Sequence, residues 1–258
     1  MQISGKASNV APGVQTLELQ AINTNDETGA CEAALTGVNS VDLAFECENP
    51  ATCGASSLDV SGTSVSGTNS GGSLNYTGVN LDFGDATDTT ATFVITYPDA
   101  GLIQLHARNT LSPSGETMLG ASNDFVVRPF ALGFTNIVSS ATSNPAGTAS
   151  SGSGFIVAGV AFSYDVTAYR YAAGDDLNSD GIMDAGSDPT DNGVTPAFGA
   201  QTTLAVSAIT PAGGATGTLS PTSISAGTFQ QRYRVGDQRH LCGGRQRDIE
   251  RNQPRLPR

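Results

Sequence analysis

Tryptophan is absent, lysine occurs once, at Lys6, and the 258-residue chain holds two histidines. With one lysine, so close to the start, a Gly-x-x-x-x-Gly-Lys phosphate loop is excluded. No Gly-x-Ser-x-Gly elbow stands with a usable histidine, and no base–nucleophile pair is evident, so the chain is read as non-enzymatic. Aromatic residues make up 6% and charged residues 14% of the chain, which leaves too little Leu, Glu, Lys and Arg patterning for long helices. No apolar run reaches the length of a membrane span. The opening MQISGKASNVAPGVQ has neither a basic stretch nor an apolar one of the kind that directs export. It is expected to be an internal piece of a longer exported protein, or to begin at a misplaced start, with residues 1–9 disordered.

What the chain has is glycine, 31 residues of it, together with abundant Ser, Thr, Ala and Asn between short alternating apolar runs. That pattern belongs to many short strands joined by turns. VDLAFE and LIQLHA show the alternation directly. Strands are predicted at Thr16–Ile22, Val41–Cys47, Leu58–Val60, Leu74–Phe83, Thr90–Tyr97, Leu102–Ala107 and Asp124–Arg128. About seven strands at this spacing predict an immunoglobulin-like β-sandwich over residues 10–128. Tyr97-Pro-Asp-Ala-Gly101 is its closing hairpin turn, and Arg128-Pro129 hands the chain on. Residues 129–229 are predicted to form a second, incomplete sandwich, with strands at Phe155–Val157, within AFSYDVTAYRY and at Thr202–Ile209. The fold class is therefore all-β, with two consecutive immunoglobulin-like domains, the second truncated.

The net charge of -12 hides an asymmetry. Residues 1–229 carry 21 acidic residues against Lys6, Arg108, Arg128 and Arg170, a balance of -17. Residues 230–258 carry eight arginines against Asp237, Asp248 and Glu250, a balance of +5. The acidic body repels nucleic acid and anionic lipid. The basic tail breaks the alternation, and a reading displaced by one base restores it, with a Tyr-Ala-Glu-Val-Gly turn resembling the one at Tyr97. The tail is therefore expected to be frameshifted from about Thr228 to Gln230 and disordered, so that His240 and Cys242 drop out of the argument.

Cys47 and Cys53 flank a turn in CENPATC, which places a small disulfide loop there; Cys31 is an alternative partner for either. The composition favours an oxidising compartment. His106 stands alone on a strand and is read as structural.

One motif carries chemistry. In GDDLNSDGIMDAGSDPTDNG, Asp176, Asn178, Asp180 and Asp184 have calcium-loop spacing, with Gly181 at the sharp turn, an Ile182 carbonyl in reach, and Asp188 able to close the site. Calcium is the candidate cofactor; the competing reading is a solvated acidic turn.

The segments TGACEAALTGVNSVDLAFECENPATC, YPDAGLIQLHAR, GASNDFVVRPFAL, GFIVAGVAFSYDVTAYRY and VTPAFG, in this order, resemble the C-terminal region of the MshQ family of MSHA (mannose-sensitive haemagglutinin) type IV pilus biogenesis proteins. The resemblance implies a non-enzymatic structural or adhesive module at the outer surface of a Gram-negative cell. Its partners would be pilus or cell-envelope proteins, and surface glycans. The alternative is a carbohydrate-binding module of a secreted protein, with Tyr164, Tyr169 and Tyr171 as the stacking platforms such a site needs.

Overall fold

A computed structural model describes residues 2–10, 17–85, 89–145, 153–157, 159–206, 220–226 and 233–234. Among these residues the regular structure is strand, apart from two single-turn 3-10 helices at Ala173–Asp175 and Pro189–Asp191. The chain is all-β, as its alternation predicts.

In chain order the first strands are β1 (Gln2–Ile3), β2 (Leu17–Gln20), β3 (Ile22–Thr24), β4 (Cys31–Ala33), β5 (Val38–Asn49), β6 (Leu58–Val60) and β7 (Thr63–Val65). There follow β8 (Gly67–Asn69), β9 (Thr77–Asp82), β10 (Thr90–Phe93), β11 (Ile95–Thr96), β12 (Gly101–Thr110), β13 (Thr117–Ala121) and β14 (Phe125–Arg128). One sheet runs β1-β14-β12-β5-β8, with β13 added beside β12 and β9 beside β5. Its centre is the antiparallel pair β5 and β12, in register from Leu102 opposite Asn49 to Arg108 opposite Asp42, with an irregularity between Leu102 and Ile103. The ladders β10-β2 and β11-β6-β7 complete the sandwich.

The period of two explains the core. Val41, Leu43, Phe45 and Cys47 of β5 are buried, as are Val79 and Leu81 of β9. They form one cluster with Leu58, Val60, Val65, Ala91, Phe93 and Ile95 from the opposite ladders. Two inner faces burying a single core define a sandwich. Tyr97 closes it, its ring edge-on to Phe45 at 5.5 Å. Two glycines are fixed by close approach. A Cβ at Gly67 would stand 2.5 Å from the Cys53 sulfur and 2.7 Å from Phe45, and one at Gly101 would stand 2.9 Å from the Asn49 carbonyl oxygen.

The start of the chain is not the disordered lead expected. Gln2 and Ile3 pair in parallel with Val127 and Arg128, and Ser4, Lys6 and Ser8 are buried. Main-chain hydrogen bonds from Ser4, Gly5 and Ser8 to Arg128, Tyr97 and Ile95 explain this: the segment covers an open edge.

Two compact units divide the chain differently from the expected linear boundaries. Residues up to 133 gather with 166–199, and residues 134–165 gather with 200–226. The acidic loop thus gathers with the first unit. β15 (Ala131–Ser139), absent from the prediction, and β17 (Ser163–Tyr169) each begin in one unit and end in the other. With β16 (Thr142–Ser143) and β20 (Tyr233–Arg234) they make a sheet in the order β16-β15-β17-β20, and β18 (Thr202–Thr203) pairs with β19 (Ser223–Ile224). No strand forms at Phe155–Val157, and Thr202–Ile209 shrinks to two described strand residues. Of the basic tail only Tyr233–Arg234 lies among the described residues, as that short strand.

Candidate functional site

The returning segment 166–199 is fastened by polar groups to Ser4 and Lys6, which follow β1, and to Arg128 of β14. Tyr171 N–H donates to the Ser4 carbonyl at 2.8 Å, and the Arg128 guanidinium donates to the Gly181 carbonyl at 2.9 Å. Between them Lys6 places Nζ 2.9 Å from Asp176 Oδ2, with the two side chains 3% and 0% exposed. The Tyr171 ring lies under the ammonium, 4.6 Å from its centroid. Gly181 N–H donates to the same Oδ2 at 3.0 Å, whereas the buried Oδ1 takes no hydrogen bond of its own. Burial pushes the Asp176 carboxyl up. The Lys6 ammonium, as donor and as charge, together with the Gly181 and Asp180 N–H groups, more than offsets this and brings it below its ordinary value.

The other predicted calcium ligands have separate local tasks. Asn178 Nδ2 donates to Asp180 Oδ2 at 3.0 Å, and Asp180 Oδ1 accepts from Ile182 N–H at 2.8 Å. Asp184 accepts from Leu177 N–H at 2.8 Å. Asp188 caps the second 3-10 turn through Thr190 N–H, which holds its carboxyl below the ordinary value. Ile182 is exposed. Among the described residues no three His, Cys, Asp or Glu side chains gather as a metal would require. The loop is wound by Asx-type bonds to its own backbone, and its innermost carboxylate already has a cation, Lys6.

The sequence reading missed Asp99. It sits in the Pro-Asp-Ala-Gly turn, fully buried, where Oδ1 accepts from Ala100 and Ala197 N–H at 2.8 and 2.9 Å, and Oδ2 accepts from the Ser56 hydroxyl at 3.3 Å. Burial raises its carboxyl above the ordinary 3.8, against the opposing pull of those three donors. The folded chain therefore keeps this proton after the unfolded chain has lost it. Asp99 favours folding fully below 3.8, and that contribution is lost as pH rises through the raised value. Asp176 has the opposite sign: its contribution is present above 3.8 and is lost as pH falls through the lowered value. Asp99→Asn keeps an acceptor for both backbone donors. It is expected to leave stability unchanged in acid and to raise it at neutral pH, as read by urea titration at about pH 3 and about pH 7. A variant that loses stability at both pH values would contradict this.

Cys47 and Cys53 form the disulfide, with Cα atoms 5.4 Å apart. Cys31, the alternative partner, is free and exposed on β4. A bridge spanning six positions of sequence contributes about 2 kcal/mol by loop closure. Cys53→Ser is expected to lower the urea midpoint accordingly, and Cys31→Ser to leave it unmoved. His106 stands 3.4 Å from Glu46 on the central sheet. Tyr164 and Tyr169 are buried, and Tyr171 is half-buried between Lys6 and Phe130, so the three tyrosines nominated for sugar stacking are committed to packing. Cys242 and His240 lie outside the described residues.

Two family models match the chain in succession. Residues 1–121 match the first Ig-like domain of a domain of unknown function, DUF6701, and residues 128–236 match the second domain of the same family. The chain belongs to the DUF6701 family. The match gives the two-domain organisation and an Ig-like first domain. No curated protein and no solved structure matches the chain. Among the described residues of the DUF6701 chain, the Lys6–Asp176 closure is a buried polar site with partners from the N-terminal segment and the acidic loop.

Proposed function

We propose that this chain is a non-enzymatic structural or adhesive module of an exported, surface-associated protein linked to MSHA-type pilus biogenesis. The observation that carries the reading is the Cys47–Cys53 bridge inside an Ig-like core, because such bridges persist in oxidising compartments. The acidic body, with a balance of -17 over residues 1–229, fits a partner surface that is neutral or basic and does not fit nucleic acid. The pilus link rests on the ordered motifs of the MshQ resemblance. No helix among the described residues is long and apolar enough to cross a membrane. The test is made in a piliated Gram-negative host that encodes the protein. Antibodies to this chain should label intact cells, and in-frame removal of it should reduce attachment. Labelling only after lysis, with attachment unchanged, would sink the proposal.

For the acidic loop we propose that Lys6 occupies, from within the chain, the place at Asp176 that a bound cation would take. The wild-type chain is then expected to give no saturable calcium heat in calorimetry up to about 1 mM, the weak end for extracellular calcium modules. A saturable isotherm that disappears in Asp180→Ala would restore calcium as the loop's ligand.

A further inference from the structure

Lys6 and Asp176 are 170 residues apart, yet their side chains meet at 2.9 Å in a site almost closed to water. The ion pair there leaves one acceptor unmet. Two charges taken out of water need every remaining donor and acceptor satisfied, and Asp176 Oδ1 is buried without a partner. An uncharged group with one bare oxygen would bear that position at lower cost. The other features suit a reaction at the Asp176 carboxyl carbon. Gly181 N–H polarises the Cγ–Oδ2 bond from 3.0 Å, and the Tyr171 ring shields the amine from solvent.

The geometry points to an intramolecular isopeptide bond between Lys6 Nζ and Asp176 Cγ. One proton moves from Nζ to Oδ2 along the 2.9 Å hydrogen bond of the ion pair, giving the amine and the carboxylic acid from which the reaction starts. Nζ attacks Cγ, and the electron pair of the Cγ–Oδ1 double bond moves onto Oδ1. A second proton passes from Nζ to Oδ2, the Cγ–Oδ2 bond breaks with Gly181 N–H easing the departure, and water leaves. Oδ1 becomes the amide oxygen, and Nζ keeps one hydrogen. Charge balances, since a cation and an anion become an amide and water, and no oxidant, reductant or cofactor takes part. Holding the two groups in contact through the fold replaces a bimolecular encounter with a unimolecular step. The bond would tie the N-terminal segment that follows β1 to the returning acidic loop. This inference does not rest on the surface-module reading.

Intact-mass measurement of the unfolded, reduced full-length chain tests it. The wild type is expected to weigh one water less than its sequence, and digestion should yield a single branched peptide joining Lys6 to Asp176. Lys6→Arg, which preserves the charge pair, and Asp176→Ala should each show the full sequence mass. Asp176→Asn should lose ammonia in place of water, because the departing group is then the amide nitrogen. Lys6 is the only lysine, so amine labelling after unfolding reports directly on it. A full-mass wild-type chain with a labelled Lys6 overturns the proposal, and so does a water loss confined to one unbranched peptide, the mark of a cyclic imide.

Discussion

Lys6→Met is expected to lower the unfolding free energy by about 3–5 kcal/mol, because it leaves the Asp176 carboxylate buried without its counter-charge. Asp176→Leu strands the ammonium instead and should cost a similar amount. The double variant separates two origins of the effect. A non-covalent pair replaced by two apolar side chains of similar size is often neutral or stabilising, so the double variant would return to wild type or above. A covalent link that closes a loop of about 170 residues adds about 5 kcal/mol by restricting the unfolded chain, and the double variant would stay lower by that amount. Urea unfolding of the four chains in parallel reads both outcomes.

Tyr97→Ala is expected to cost about 3–5 kcal/mol, the range for removing a buried aromatic ring. Tyr97 is 2% exposed and meets Phe45 edge-on, so its loss opens a cavity at the end of the core where the hairpin turns into β12. Burial, with the neighbouring Asp99 charge, also pushes its hydroxyl well above the ordinary tyrosine range. Alkaline titration should therefore leave Tyr97 unionised until the first unit unfolds. Tyr97→Phe keeps the ring and should cost far less than alanine. Equal losses for the two variants would mean that the hydroxyl, and not the packing, matters.

These effects fall on residues of very different legibility. β5 and β12 were visible because every second residue is apolar and one face is buried, although both strands run further than the apolar run itself. β6 matches its predicted span. β7 and β8 escaped because three residues rich in Thr, Ser or Gly carry no period, and β4, Cys31-Glu32-Ala33, is too short to show one. β17 shows the limit of alternation. Tyr164, Val166 and Ala168 are buried as expected, but so are Asp165, Thr167 and Tyr169 between them, which places apolar and polar sides alike out of solvent. The disulfide was half legible: spacing gave Cys47 and Cys53, and only the position of β4 frees Cys31.

The closure by Lys6 was the least legible feature, since no local pattern links residues 170 positions apart. One signal existed. A single lysine in a chain with 24 acidic residues is an unusual resource, but neither its part in the charge balance nor the phosphate loop it excludes points to a buried partner. The acidic loop had a clear spacing but an ambiguous cause, because oxygen side chains at alternate positions serve a cation and a self-capped turn equally well. Asp99 was hidden inside a turn signal that already explained its presence as turn chemistry.

The central claim is that residues 166–199 complete the first unit and are locked to the N-terminal segment at Lys6. Native-state hydrogen exchange of the full chain, resolved by peptide, tests this most directly. The amides of Arg170, Tyr171, Thr195 and Ala197, which bond to the Gly193, Ser4 and Ala168 carbonyls and to the Asp99 carboxylate, should be protected to the same opening free energy as Phe45. They should lose that protection together in Lys6→Met. Fast exchange across 166–199 in the wild type, with β5 still protected, would contradict the account.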